Sequence, residues 1–212
     1  MNMNANDESP TSASEDVLAE LRDFCQSQAL SEHALRQRLS SLDTQDDSSY
    51  YDVLFDICEN EHVTPGILKC FIEYFPRAVR SVGSTGSTPL HTVLRNKNCT
   101  MDIVRCLTKL RWDILLLLLS RQDDEGRTPL FILCQNDELD EAEAVAILRF
   151  FVKKCPQCAQ CTTRGGCTTN WSCSLQSLSR VLLRTRGCIS RVHDSSCALR
   201  AIACSFISIT RS

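Results

Sequence analysis

The residues best suited to chemistry are cysteines that lie close together near the C-terminal end of the chain. Two residues separate Cys155 from Cys158 and Cys158 from Cys161, and Cys167 and Cys173 follow. A structural zinc site needs four ligands, which closely paired thiolates often supply. Five residues separate the last two cysteines, and the fourth position of the usual iron–sulfur pattern is not cysteine. We therefore expect buried or free thiols and no cofactor, with a zinc or redox site at Cys155, Cys158, Cys161 and Cys167 as the alternative.

No other pattern indicates an enzyme. His33, His62 and His193 have no serine, cysteine or carboxylate nearby in the arrangement of an activated nucleophile. The sequence contains no P-loop, dinucleotide fingerprint or metalloprotease motif. The acidic residues at 137–143 lack the glycine turn and ligand spacing of a calcium loop. They are better explained as the first turn of a helix, where negative charge is favourable.

Charge and hydropathy favour an intracellular protein. The 212 residues carry a net charge of −3, divided as −10 over residues 1–60, +1 over 61–160 and +6 over 161–212. A nearly neutral chain is not typical of a nucleic-acid-binding protein, although the basic end could contact the acidic start. No export signal is expected in the polar first residues, and the longest apolar run, 114–119, is shorter than the ~17 residues of a membrane span. We expect a monomer without membrane contact, cytoplasmic or nuclear, with reduced cysteines.

The predicted helices form a pattern that repeats along the chain. Residues 54–64 align with 90–100 and with 130–140, at offsets of 36 and 40. A second helical pattern follows each segment, at 67–72, 103–107 and 145–151. Each repeat is then two helices joined by a turn that carries an asparagine, and stacking of successive pairs forms the core. We expect the run at 114–119 to extend the second helix of the middle repeat.

The loops before two of these repeats carry a more specific motif. Gly86-Ser-Thr-Pro-Leu-His91 and Asp123-Asp-Glu-Gly-Arg-Thr-Pro-Leu-Phe131 place glycine at a tight turn and Thr-Pro at a helix start. Over residues 50–160 the chain resembles the ankyrin repeat family, whose motif is D-x-x-G-x-T-P-L-H-x-A. Phe131 departs from the motif at the histidine, and the offsets exceed the usual period of about 33 residues. In that family the histidine bonds backbone and threonine groups, which implies a structural role for His91.

The resemblance implies an all-α fold, an ankyrin-like helix-turn-helix repeat solenoid. We predict disorder at 1–14, a helical pair and linker at 15–49 with Ser14 and Ser31 as N-caps, and repeats at 50–86, 87–126 and 127–160. Residues 161–212 have no Lys, Glu or Pro and form a degenerate or irregular Cys/Ser/Arg-rich end. The span from Gly165 to Cys173 equals that from Gly86 to Leu94, so we predict that this end descends from two further repeats.

The predicted function is binding rather than catalysis. Members of the resembled family contact another protein through loop tips and first helices, which form a concave face. Polar residues off the apolar stripe at these places are the predicted contacts: Ser84, Thr85, Arg95, Gln122, Asp124, Glu125, Arg127 and Gln135. Two alternatives stay open: the repeats present a C-terminal zinc or redox module, or the chain is a truncated family member whose exposed end promotes association.

Overall fold

The computed structural model describes residues 11–42, 48–109 and 112–154, and its regular secondary structure there is entirely helical. The α-helices are α1 (Thr11–Gln26), α2 (Glu32–Ser40), α3 (Val53–Glu59), α4 (Pro65–Tyr74), α5 (Pro89–Arg95), α6 (Met101–Thr108), α7 (Trp112–Ser120), α8 (Pro129–Gln135) and α9 (Glu141–Lys154). Two short 3-10 helices lie at Ser48–Asp52 and Ala78–Arg80. The predicted all-α class is confirmed for this part of the chain.

The helices form two packed rows. Helices α1, α3, α5 and α8 pack successively against one another in the first row, and α2, α4, α6 and α9 do the same in the second. We call the pairs α1/α2, α3/α4, α5/α6 and α8/α9 units one to four. Aliphatic, phenylalanine and cysteine side chains from both rows share one core, in which Leu35, Leu68, Leu94 and Phe151 are almost fully buried.

One spacing organises all four units. In each, a serine or asparagine begins the turn between the helices, a capping residue follows four positions later, and the second helix begins at the fifth. The turn residues are Ser27, Asn60, Asn96 and Asn136, and the caps are Ser31, Thr64, Thr100 and Asp140. Each cap oxygen accepts a backbone N–H three residues further on, which satisfies an amide that the helix itself leaves without a partner.

Side-chain amides in these turns join consecutive units. Asn96 Nδ2 donates to the carbonyl oxygens of Cys58 at 3.0 Å and Asn60 at 2.9 Å, while its Oδ1 accepts the N–H of Asn98 at 2.9 Å. In the same way Asn60 bonds Cys25 and Ser27 of unit one, and Asn136 bonds Leu94 and Asn96 of unit three. We call this series of bonds the asparagine ladder.

Unit one is built like the others, which the sequence reading did not recognise. Helix α1 begins at Thr11, directly after Pro10 and four residues before the predicted start. Ser14 therefore lies inside the helix, and the prediction that it caps the helix is wrong. Ser31 does cap α2, since its Oγ accepts the N–H of Ala34 at 3.4 Å. Residues 1–10 of the segment predicted to be disordered lie outside the described residues.

The apolar run at 114–119 forms a helix of its own instead of extending α6. Helix α6 ends at Thr108, and α7 starts at Trp112 and packs against α8. Leu115, Leu118 and Leu119 are buried, whereas Leu117 is 58% exposed. A one-sided apolar contact is enough to hold a separate helix here, so the run does not need the continuation of α6.

Several predicted segments lie outside the described residues. They are part of the linker, 43–47, and everything from residue 155 onward, including the predicted degenerate end at 161–212.

Candidate functional site

Two loops of the same design project at the start of units three and four. In residues 83–87 the N–H of Gly83 donates to Ser87 O at 2.9 Å, and in residues 123–127 the N–H of Asp123 donates to Arg127 O at 3.0 Å. Gly86 and Gly126 close these turns with φ values of 68° and 77°, which other residues rarely adopt. We call these segments loop A, residues 83–87, and loop B, residues 123–127.

The two loops lie directly against each other. The N–H of Asp124 donates to Thr85 O at 3.0 Å, so the backbones are joined across 39 residues of sequence. A side-chain carbon at Gly86 would lie 2.9 Å from the backbone nitrogen of Asp124. Close approach and positive φ therefore both require glycine at this position, and the loop tips form one continuous edge.

A buried carboxylate fixes loop B. Asp123 has 1% of its side chain exposed, and its Oδ1 accepts the N–H groups of Glu125 at 3.1 Å and Arg127 at 2.8 Å. Its Oδ2 accepts from Arg127 Nε at 2.9 Å and from Arg95 Nη2 at 3.2 Å. Burial opposes ionisation of this carboxyl, but hydrogen bonds from the backbone and side chain of Arg127 outweigh it and lower the pKa of Asp123.

Arg95 and Arg127, two of the predicted contact residues, already have partners within the protein. Both guanidinium groups bond Asp123, and Arg127 Nη1 also lies 2.7 Å from Glu125 Oε2. Such bonds hold loop B against the end of α5. These two arginines therefore position the site. The pairing with Arg95 could not be predicted, because Asp123 lies 28 residues away in the chain.

The other predicted residues fall into two groups. Side chains of Ser84, Thr85, Asp124, Glu125 and Gln135 are exposed, whereas Gln122 is half-buried. Gln135 lies at the end of α8, beside a cleft of about 420 Å³ that Arg95, Arg127 and Asn136 also line. A second cleft of about 330 Å³ lies between the loops, next to Gly86, Gln122 and Asp124. Seven of the eight predicted residues thus belong to the loops or to the ends of α5 and α8, and Gln122 directly precedes loop B.

His91 links unit three to loop B. Its Nδ1 accepts the N–H of Thr88 at 3.2 Å, and its Nε2 lies 3.1 Å from Arg127 O. Since a backbone N–H only donates and a carbonyl only accepts, the ring is neutral with its proton on Nε2. Burial of the ring lowers the pKa of His91 and favours this neutral form. The imidazole is structural, as the resemblance implies.

Cysteine chemistry has little support among the described residues. Cys25, Cys58, Cys70, Cys99, Cys106 and Cys134 are free thiols, and all except Cys106 are buried. Burial raises the pKa of Cys25, Cys99 and Cys134 to about 12, which leaves them as unreactive thiols. No group of three or more metal-binding side chains occurs in the described part of the chain. Cys155, Cys158, Cys161 and Cys167 lie outside it.

One acidic side chain has a function that the sequence reading missed. Glu143 Oε2 accepts the N–H of Met101 at 2.6 Å, so the carboxylate of α9 caps the start of α6. The acidic first turn of α9 therefore serves a neighbouring helix as well as its own dipole.

None of the helices in the described residues is both long and apolar enough to cross a bilayer. Comparison with known proteins finds no matching family model, no similar curated protein and no similar solved structure.

Proposed function

We propose that the protein is a non-enzymatic interaction scaffold, an ankyrin-like solenoid that binds another protein on the face formed by loops A and B and the ends of α5 and α8. The observation that carries the proposal is the direct bond between the loops, Asp124 N–H to Thr85 O. It joins two turns into one edge beside the first-row helices. Binding to a pre-formed edge avoids much of the entropy cost of ordering a mobile loop.

Exposed side chains on this edge support the proposal. Asp123, Arg95 and Arg127 build the loop, whereas the side chains of Ser84, Thr85 and Asp124 are exposed. The surface thus separates residues that support the loop from residues that are available to a partner. A few of the latter are expected to dominate the affinity.

The decisive experiment compares two double charge reversals in the full chain. A partner is first identified by cross-linking and mass spectrometry, and its dissociation constant is measured by calorimetry. The loop variant carries Asp124→Lys and Glu125→Lys. The control carries Glu73→Lys and Asp102→Lys, which change the same charge on exposed positions of the second row.

We expect the loop variant to bind at least about tenfold more weakly and the control to bind within about twofold of the wild type. Circular dichroism checks that both variants keep their helices. If the loop variant binds as tightly as the wild type, or the control loses as much affinity, the binding face lies elsewhere.

A further inference from the structure

In unit four, the last described unit of the asparagine ladder, two carbonyl oxygens lack, within the described residues, the side-chain donor that their equivalents have in the other units. At each of three junctions, an asparagine side chain donates to two carbonyl oxygens of the preceding unit. The first belongs to that unit's turn residue, and the second belongs to the residue two positions before it. The equivalent carbonyls of unit four belong to Cys134 and Asn136. Among the residues that the structure describes, no side chain donates to either of them.

The chain continues for 58 residues after α9, and one segment of it carries the ladder spacing. Asn170 is the only asparagine in residues 155–212 and lies 34 positions after Asn136. Three positions further on stands Cys173, where the described units have Leu30, Val63, Cys99 and Leu139. Ser174 then occupies the capping position.

The positions around this segment agree with the same register. Thr162 stands eight residues before Asn170, as Thr88 and Thr128 stand eight residues before Asn96 and Asn136. A capped helix would begin at Leu175, and the apolar residues Leu178, Val181 and Leu182 follow at helical spacing. This register differs from the alignment of Gly165 with Gly86, which places no asparagine at the turn.

We propose that residues 162–183 dock on the α8/α9 end of the stack as a fifth unit, with the Asn170 side-chain amide donating to the carbonyls of Cys134 and Asn136. The occupant of this end face is therefore the chain's own C-terminal segment. The proposal does not depend on a partner at the binding face, because the donor and both acceptors belong to this chain.

Hydrogen exchange of the full chain tests the proposal, read by mass spectrometry of peptides that cover α8 and α3. The variant is Asn170→Ser. In unit one Ser27 occupies the same position, and its Oγ accepts the N–H of Ala29 at 3.2 Å, so serine keeps the turn but lacks the amide donor. The control is Gln176→Ala in the same segment.

Loss of the donor should speed exchange of the α8 amides about tenfold, the factor that ~1.4 kcal/mol of lost hydrogen bonding produces. Exchange in α3 should not change, because two units separate it from this end. The control should leave both helices unchanged. Exchange of α8 at the wild-type rate in Asn170→Ser would overturn the proposal, as would equal acceleration of α3 and α8 or an equal effect of Gln176→Ala.

Discussion

The asparagine ladder makes a quantitative prediction at its central position. Asn96 is 8% exposed, and replacement by alanine removes two side-chain donations and one acceptance. Each such bond contributes about 0.5–1.5 kcal/mol to the free energy of unfolding, and the two carbonyls that would lose their donor lie in the interior. We therefore expect Asn96→Ala to lower the free energy of unfolding by about 3 kcal/mol.

Urea unfolding followed by circular dichroism measures this loss. For a slope of about 2 kcal/mol per molar urea, the midpoint should fall by about 1.5 M. Asn98→Ala is the matched control, because Asn98 donates one exposed bond, from Nδ2 to Glu61 O at 2.8 Å. We expect it to cost less than about 1 kcal/mol. Equal losses for the two variants would mean that the ladder does not hold the units together.

Three further predictions concern the loops and the buried ionisable groups. Gly86→Ala should destabilise the protein by about 1–3 kcal/mol, because alanine strains the positive φ and meets loop B; Gly83→Ala, which has room, should cost less in the same urea titration. The lowered pKa of His91 means that the unfolded chain takes up the proton first, so the free energy of unfolding should fall as pH drops below about 6.5 and should level off between about pH 7 and 7.5. His91→Phe should reduce this slope between pH 5.5 and 7.5, and an unchanged slope would assign it to other groups. In native protein at pH 8, a thiol reagent should modify half-buried Cys106 before Cys58, whose pKa burial raises further; peptide mass spectrometry would contradict this if Cys58 reacted first.

The starts of α5 and α8 were predictable from sequence because they depend on local chemistry. Thr128 and Pro129 begin α8 as expected, and Thr128 Oγ1 accepts the N–H of Phe131 at 3.3 Å. Thr88 takes the same position in α5, although its hydroxyl bonds His91 Nδ1 at 2.9 Å. Capping needs only neighbouring residues, so a short motif carries the information.

The contacts between units could not be predicted in the same way. Unit one was not predicted to be a repeat, because residue 27 is serine where the other units have asparagine and no Thr-Pro precedes α1. The ion pairs of Asp123 with Arg95 and Arg127 depend on how two units stack. Both arginines were predicted to contact a partner because the prediction used only their polarity and their place in the repeat. Sequence therefore predicted which residues form the candidate site, whereas their division into supporting and exposed residues required the structure.

The constant spacing of the units also shows where the chain tolerates a change of length. The cap lies four positions after the turn residue in every unit, yet successive turn residues lie 33, 36 and 40 positions apart. Most of the added length lies in the connection that follows each second helix, and between units three and four this connection includes α7. A library of short random insertions should therefore yield folded proteins directly after Lys109, where α6 has ended, and none within residues 96–100. A reporter peptide or a second protein domain is best inserted at Lys109.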